Sequence, residues 1–187
     1  MNTLRIISGS AKGMRIASVP GDTTRPITDR VKEALFNILG MDIIDSRFLD
    51  LFGGTGSVGI EALSRGAAFC RFLDKSNRAV TIIRDNLRHT KLENKSQVLN
   101  TDALKYFNTT LDDPFDYIYI APPQYKQMWI TVIKQLDENP LWMVEDAWVI
   151  VQIHPIEYEE IELSNLREFD QRKYGSTLLV FYERFRN

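Results

Sequence analysis

Asp50-Leu51-Phe52-Gly53-Gly54-Thr55-Gly56-Ser57 is the stretch on which the fold turns. The residues over 47–52 read as a short apolar strand, and those over 58–65 as a helix stopped by Gly66. Between them the glycines let the chain turn sharply and bring its backbone close to a ligand. Gly54, Gly56 and Gly59 satisfy G-x-G-x-x-G at this strand-to-helix junction. That arrangement sets an anion against a helix amino terminus.

Downstream, strands and helices alternate. A strand over 68–73 ends at Asp74, and Ser76 caps a helix to about residue 88 with Val80, Ile83 and Leu87 on one face. A strand over 96–100 ends at Thr101-Asp102, and a stronger one over 115–120 enters Ala121-Pro122-Pro123-Gln124-Tyr125. A helix over 126–136, a strand over 147–153 and two strands over 160–169 and 176–182 complete the chain. The last two are joined around Arg172-Lys173-Tyr174-Gly175 as a hairpin. Upstream, Thr28 caps a helix over 29–39 that turns Val31, Leu35, Ile38 and Leu39 to one side. Before it lies a loop with Pro20, Gly21 and Pro26. Leu4-Arg5-Ile6-Ile7 and Met14-Arg15-Ile16-Ala17 read as a small hairpin around Gly9 and Gly13. The alternation predicts an α/β, Rossmann-like doubly wound sheet with an antiparallel closing hairpin, plus the small amino-terminal β-hairpin. Such sheets bind ligands at the carboxyl ends of their strands. The loops to read are those after Leu51, Leu73, Asn100 and Ile120.

Composition narrows the class. At 187 residues, with 44% hydrophobic and 26% charged, the chain has the profile of one compact globular domain. No apolar run reaches the roughly 18 residues of a membrane span. Met1-Asn2-Thr3-Leu4-Arg5 carries no long hydrophobic stretch or cleavage site, so the expectation is a cytoplasmic chain without a secretory signal. Cys70 is the single cysteine, which excludes a disulfide framework and favours a buried, inert thiol. His89 and His154 are far apart, and no metal cluster is expected.

The net charge of -2 argues against indiscriminate coating of nucleic acid. Its distribution is uneven: Arg5, Lys12, Arg15, Arg25 and Arg30 are opposed at the amino-terminal end by Asp22 and Asp29. Glu157, Glu159, Glu160 and Glu162 lie far downstream. The basic end reads as either a phosphate-binding arm or a solvated loop.

Asp50 separates the ligands that a glycine loop can hold. A carboxylate at this strand end repels a pyrophosphate but attracts the α-ammonium group of S-adenosylmethionine, whose carboxylate suits the helix amino terminus. Asp74 is placed to accept from ribose hydroxyls, and Asp102 from an adenine amino group. A lone carboxylate of this kind is usually a cap or a solvated turn; three at successive strand ends favour the cofactor. The runner-up, a nicotinamide-dependent oxidoreductase, lacks a Tyr-x-x-x-Lys or Asp/His donor, and neither histidine is placed as an acid or base.

The Pro122-Pro123 loop has no N–H to donate at either proline, yet its carbonyls accept. A stiff acceptor suits an incoming aromatic amine, and alignment is most of what direct methyl transfer needs. Tyr125 is placed to stack on a flat base. Taken alone, such a loop is often only a turn and Tyr125 a core residue.

Three stretches carry a family resemblance: Arg25-Pro26-Ile27-Thr28-Asp29-Arg30-Val31-Lys32-Glu33-Ala34-Leu35-Phe36-Asn37, the run from Phe48 through Ala67, and the Pro-Pro loop. The chain resembles the RsmD-type methyltransferases, which methylate the N2 amine of a guanine in small-subunit ribosomal RNA. The resemblance covers nearly the whole chain. It implies a class I sheet of about seven strands, S-adenosylmethionine as donor and a basic amino-terminal hairpin holding RNA. It also implies that Thr28 and Arg30 lie near the cofactor and Arg25 near the substrate.

The candidate cofactor contacts are thus Thr28, Arg30, Asp50, Phe52, Gly54, Gly56, Asp74, Lys75, Asp102, Ala103 and Ala121. The candidate catalytic residues are Pro122, Pro123, Gln124 and Tyr125, and the candidate RNA contacts Arg5, Lys12, Arg15 and Arg25. Residues 1–27 form the basic hairpin and loop, and 28–187 the methyltransferase domain. The expected partner is ribosomal RNA or a small-subunit assembly intermediate, and the expected state a monomer without metal or membrane.

The chain departs from the resembled pattern at one place. Such families carry Asp, Asn or Ser before the prolines and an aromatic residue after them; here stand Ala121 and Gln124, with Tyr125 one residue later. A DNA adenine or small-molecule methyltransferase, and a non-catalytic S-adenosylmethionine-binding module, stay open on the residues alone.

Overall fold

The computed structural model describes residues 4–20, 26–111, 113–124 and 127–185. Among them, seven strands form one sheet: β1 (Arg47–Asp50), β2 (Phe69–Asp74), β3 (Ser96–Asn100), β4 (Phe115–Ile120), β5 (Met143–Ile153), β6 (Leu166–Tyr174) and β7 (Thr177–Arg184). Their order is β3-β2-β1-β4-β5-β7-β6. The first five run parallel, and β7 enters antiparallel between β5 and β6.

Helices cover both faces, which is why β1, β2 and β4 are apolar along most of their length. On one face α1 (Asp29–Leu39), α2 (Ser57–Ser64) and α3 (Asn77–Thr90) close over Phe48, Phe72, Tyr117 and Ile150. On the other, α4 (Ala103–Tyr106) and α5 (Met128–Glu138) close over Leu49, Ile118 and Val149. Thr28 and Ser76 cap α1 and α3 as expected, accepting from the N–H groups of Val31 and Ala79. Gly59 lets α2 lie against β2: a Cβ there would sit 2.3 Å from Cε1 of Phe72 and 2.7 Å from Sγ of Cys70. No helix among the described residues is long and apolar enough to cross a membrane.

Three elements differ from the sequence expectation. β5 begins at Met143, four residues before 147, because its pairing with β4 shifts register between Phe115 and Tyr117. The exposed Glu145-Asp146 pair is bulged out there, with Asp146 at φ 62. β6 starts at Leu166 rather than 160, because the Asp137 carboxylate accepts from the N–H groups of Ser164, Asn165 and Leu166 and holds that segment as a turn. The β6–β7 turn is consequently Gly175-Ser176, with Tyr174 paired to Thr177, so Arg172 and Lys173 lie within the strand. The short α4 has no sequence periodicity to announce it; Asp102 caps it by accepting from the N–H of Leu104 at 2.9 Å.

The amino-terminal hairpin is held by Ile6 N–H to Met14 O at 2.9 Å and Ile16 N–H to Leu4 O at 2.9 Å, with Arg5 opposite Arg15. Ile6, Ala11 and Ile16 are buried in the core beneath α1, α2 and α3. The Glu61 carboxylate accepts from Ile7 N–H at 2.9 Å and Ser8 N–H at 3.0 Å. Ser64 Oγ accepts from Ala11 N–H and donates to Ser8 O. Asn86 on α3 pairs with both backbone groups of Ala17, and its amide also donates to Thr55 O in the glycine loop.

Candidate cofactor and substrate site

A cavity of about 730 Å³ opens at the carboxyl ends of β1 to β5. All four loops singled out from the sequence reach it. Asp50, Phe52, Gly54, Asp74, Lys75, Asp102 and Ala103 line one part, and Ala121, Pro122, Pro123 and Gln124 another.

The strand ends explain why three carboxylates converge. β1, β2 and β3 are in parallel register, Asp50 opposite Phe72 and Asp74 opposite Asn100, so all three chains leave the sheet at the same end, with Asp74 two positions beyond the level of Asp50 and Asp102 following Asn100 by two. Asp74 shapes the glycine loop, its Oδ2 accepting from Gly54 N–H at 2.9 Å and its Oδ1 from Ser76 N–H at 2.8 Å. A carboxylate oxygen can accept more than one hydrogen bond, so the same group still suits ribose hydroxyls.

Asp50 is buried, and its Oδ1 has no hydrogen-bond partner. Burial pushes its carboxyl from the usual 3.8 up to about 7, and the nearby Asp74 charge adds to the rise. The N–H groups of Phe52 and Gly59 oppose it. A buried carboxylate with an oxygen left over fits a ligand that brings positive charge, which relieves the cost of ionising it. The α-ammonium of S-adenosylmethionine meets that requirement; a pyrophosphate does not.

Other expected contacts lie elsewhere. Thr28 spends its hydroxyl on capping α1, Arg30 is exposed on that helix, and Gly56 caps α2; none of the three lines the cavity. Arg5, Lys12 and Arg15 are exposed on the hairpin, Arg5 with its Nε 2.8 Å from Asp29 Oδ2. Arg25 and Tyr125 lie outside the described residues. His154 belongs to a capping turn, where its Nδ1 accepts from Ile156 N–H. Cys70 is buried, and burial pushes its thiol pKa up, as an inert thiol requires. Among the described residues, no group of three or more His, Cys, Asp or Glu side chains is placed to hold a metal ion.

Sequence reasoning missed part of the lining. Ser18, Val19 and Pro20 bring the hairpin's exit to the rim. Tyr119 on β4, Gln152 on β5 and Thr177 on β7 extend the cavity beneath the Pro-Pro loop. The strand-end rule had a signal for Gln152, one residue from the end of β5, whereas nothing local marks Ser18 or Thr177.

Sheet order, glycine loop and orphaned carboxylate together define an α/β methyltransferase that uses S-adenosylmethionine. The chain belongs to the family described as Conserved hypothetical protein 95, which it matches over residues 4–183. It is 36% identical to the YlbH protein of Bacillus subtilis, over 97% of this chain and 99% of that one. It is 32% identical to Ribosomal RNA small subunit methyltransferase D of Escherichia coli, over 80% of this chain and 74% of that one. The solved structure of the Escherichia coli yhhF protein matches at a TM-score of 0.85 and 28% identity, covering 98% of each chain.

Proposed function

We propose that this protein transfers a methyl group from S-adenosylmethionine to the exocyclic N2 amine of a guanine in small-subunit ribosomal RNA. The observation that carries the reading is the juxtaposition, in one cavity, of the orphaned Asp50 carboxylate and the Pro122-Pro123 loop. The kinship with small-subunit ribosomal RNA methyltransferases supports the choice of RNA.

When bound, S-adenosylmethionine would supply an electrophilic methyl group to an amine nitrogen, its methyl–sulfur bond breaking to leave the thioether S-adenosylhomocysteine while the amine releases one proton to water. The protein's residues hold the two partners in line. Asp50 neutralises the ammonium of the donor, Asp74 receives its ribose hydroxyls, and Asp102 and Ala103 border its adenine. Phe52, Gly54 and Lys75 complete that wall. Across the cavity, Pro122 and Pro123 present carbonyls to the amine without competing N–H donors. Gln124 borders the base, and alignment supplies the acceleration.

Residues 1–27 act as the RNA-holding arm through Arg5, Lys12, Arg15 and Arg25, and residues 28–187 as the methyltransferase domain. The protein works in the cytoplasm as a monomer on an assembly intermediate, where RNA and protein together present the base.

The test is incubation with isotopically labelled S-adenosylmethionine and small-subunit particles from a strain lacking this protein, followed by nucleoside mass spectrometry. Label in N2-methylguanosine is the expected result. Label in DNA adenine instead would redirect the substrate. Donor binding by calorimetry with no transfer to particles, free RNA or DNA would favour the inert binding module that Ala121 invites.

A further inference from the structure

Ala121 leaves a gap in the chemistry of the Pro-Pro loop, because a methyl side chain accepts no hydrogen bond from an amine. The tertiary structure puts a carboxamide beside that gap. β4 and β5 run parallel with Ile120 opposite Val151, so the next step along both chains sets Ala121 beside Gln152. Both share a face of the sheet: Tyr119 and Ile150 are opposite each other and pack in the α1–α3 core, and Ala121 and Gln152 each follow by two residues. Ala121 itself packs against that core. Both residues line the cavity, with Gln152 half-buried.

The orientation of Gln152 is set from below. Tyr119 is buried, and its hydroxyl donates to Gln152 Oε1. Burial holds the tyrosine protonated and therefore a donor. An amide oxygen has two lone pairs, so Oε1 keeps one for a second donor, and Nε2 keeps its N–H pair to give. One carboxamide edge thus offers an acceptor and a donor side by side. A nucleobase edge with an exocyclic amine next to a ring nitrogen is its complement, the same bidentate match by which glutamine pairs with a base.

We infer that Gln152, locked by Tyr119, is the residue that reads the acceptor base, its carboxamide pairing with the amine and the adjacent ring nitrogen in the place Ala121 leaves open. Guanine presents that pair as N2 and N3. This inference rests on the methyltransferase reading above and assigns the base-recognition residue within the same site.

The experiment measures kcat and KM for deficient small-subunit particles, with donor affinity followed separately by calorimetry. Gln152→Leu, which removes both hydrogen-bonding groups, is expected to lower kcat/KM by about tenfold or more, the scale of one bidentate base contact. Donor affinity is expected to stay unchanged. Gln152→Glu keeps an acceptor for Tyr119 and for the amine but loses the donor, and falls between Gln152→Leu and wild type. Tyr119→Phe removes one hydroxyl without disturbing the core and gives a smaller loss of the same kind. Adding Ala121→Asp to Gln152→Leu restores part of the activity, a rescue that a packing role for Gln152 would not produce.

A Gln152→Leu protein with kcat/KM within about twofold of wild type would overturn the inference, as would a matching loss of donor affinity. A wild-type protein that transfers nothing to particles would instead sink the methyltransferase reading, so the two failures are distinguishable. If Gln152→Leu does not fold, Tyr119→Phe decides: wild-type kinetics there would reject the assignment.

Discussion

Lys32 Nζ lies 3.2 Å from Glu61 Oε2, with both side chains buried between α1, α2 and the amino-terminal hairpin. The ammonium also donates to Arg5 O at 2.6 Å and to Ser57 Oγ at 2.9 Å, at the start of α2. Glu61 receives Arg65 Nε at 2.8 Å and the N–H groups of Ile7 and Ser8. Burial lowers the Lys32 pKa, and the Glu61 charge works against that fall. The pair belongs to two of the three stretches that carry the family resemblance, and it joins hairpin, α1 and α2 into one body.

Removing one partner of such a pair strands the other. Glu61→Leu removes the carboxylate that faces Lys32, Arg65 and two N–H groups and is expected to cost about 3–5 kcal/mol in urea unfolding. Lys32→Met is expected to cost less, because Arg65 still faces Glu61. A double-mutant cycle checks this: the pair of substitutions together should cost less than their sum. Strict additivity would mean that the two charges are not coupled.

Asp50 makes donor binding and stability depend on pH in opposite senses. Its folded-state pKa, about 7, is above the ordinary carboxyl value, so the folded protein holds the proton more tightly than the unfolded chain. This contribution to stability is complete below about pH 4 and is lost as pH rises through 7. The ligand-free protein should show a falling melting temperature between pH 5 and 8 that Asp50→Asn flattens. Donor affinity should instead rise through pH 7 as Asp50 ionises, then fall once the donor's α-amino group loses its proton near about 7.7–8.0. Calorimetry across that range reads the bell; a flat profile would remove Asp50 from ammonium binding.

Gly59 allows no side chain. A Cβ would stand 2.3 Å from Cε1 of the buried Phe72, which the sheet and helices leave little room to shift. Gly59→Ala should destabilise the protein by about 1–3 kcal/mol by chemical denaturation. Wild-type stability would show that α2 slides freely on β2.

Lys12 and Arg15 are exposed on a hairpin that is itself fixed to the core, so their charges are presented from a rigid base. Lys12→Ala with Arg15→Ala should weaken RNA binding and reduce the slope of log affinity against log salt by about 1–2. Donor affinity should not change. An unchanged slope would place RNA on another surface.

The sequence by itself determined the order of elements, the caps at Thr28 and Ser76, and the glycine loop with its three acidic strand ends. These are local: a cap, a turn or a period of apolar residues is decided by neighbours within a few positions. Asp102 was legible as a strand-end carboxylate, whereas its capping of α4 was not, because α4 is too short to leave a period. Only the tertiary structure decided that Lys32 and Glu61 pair, that Asp137 delays β6, and that Gln152 stands beside Ala121. Each depends on residues about 30 apart in sequence, brought together by parallel register or helix packing. Their side chains carry no sign of a partner until the chain has folded.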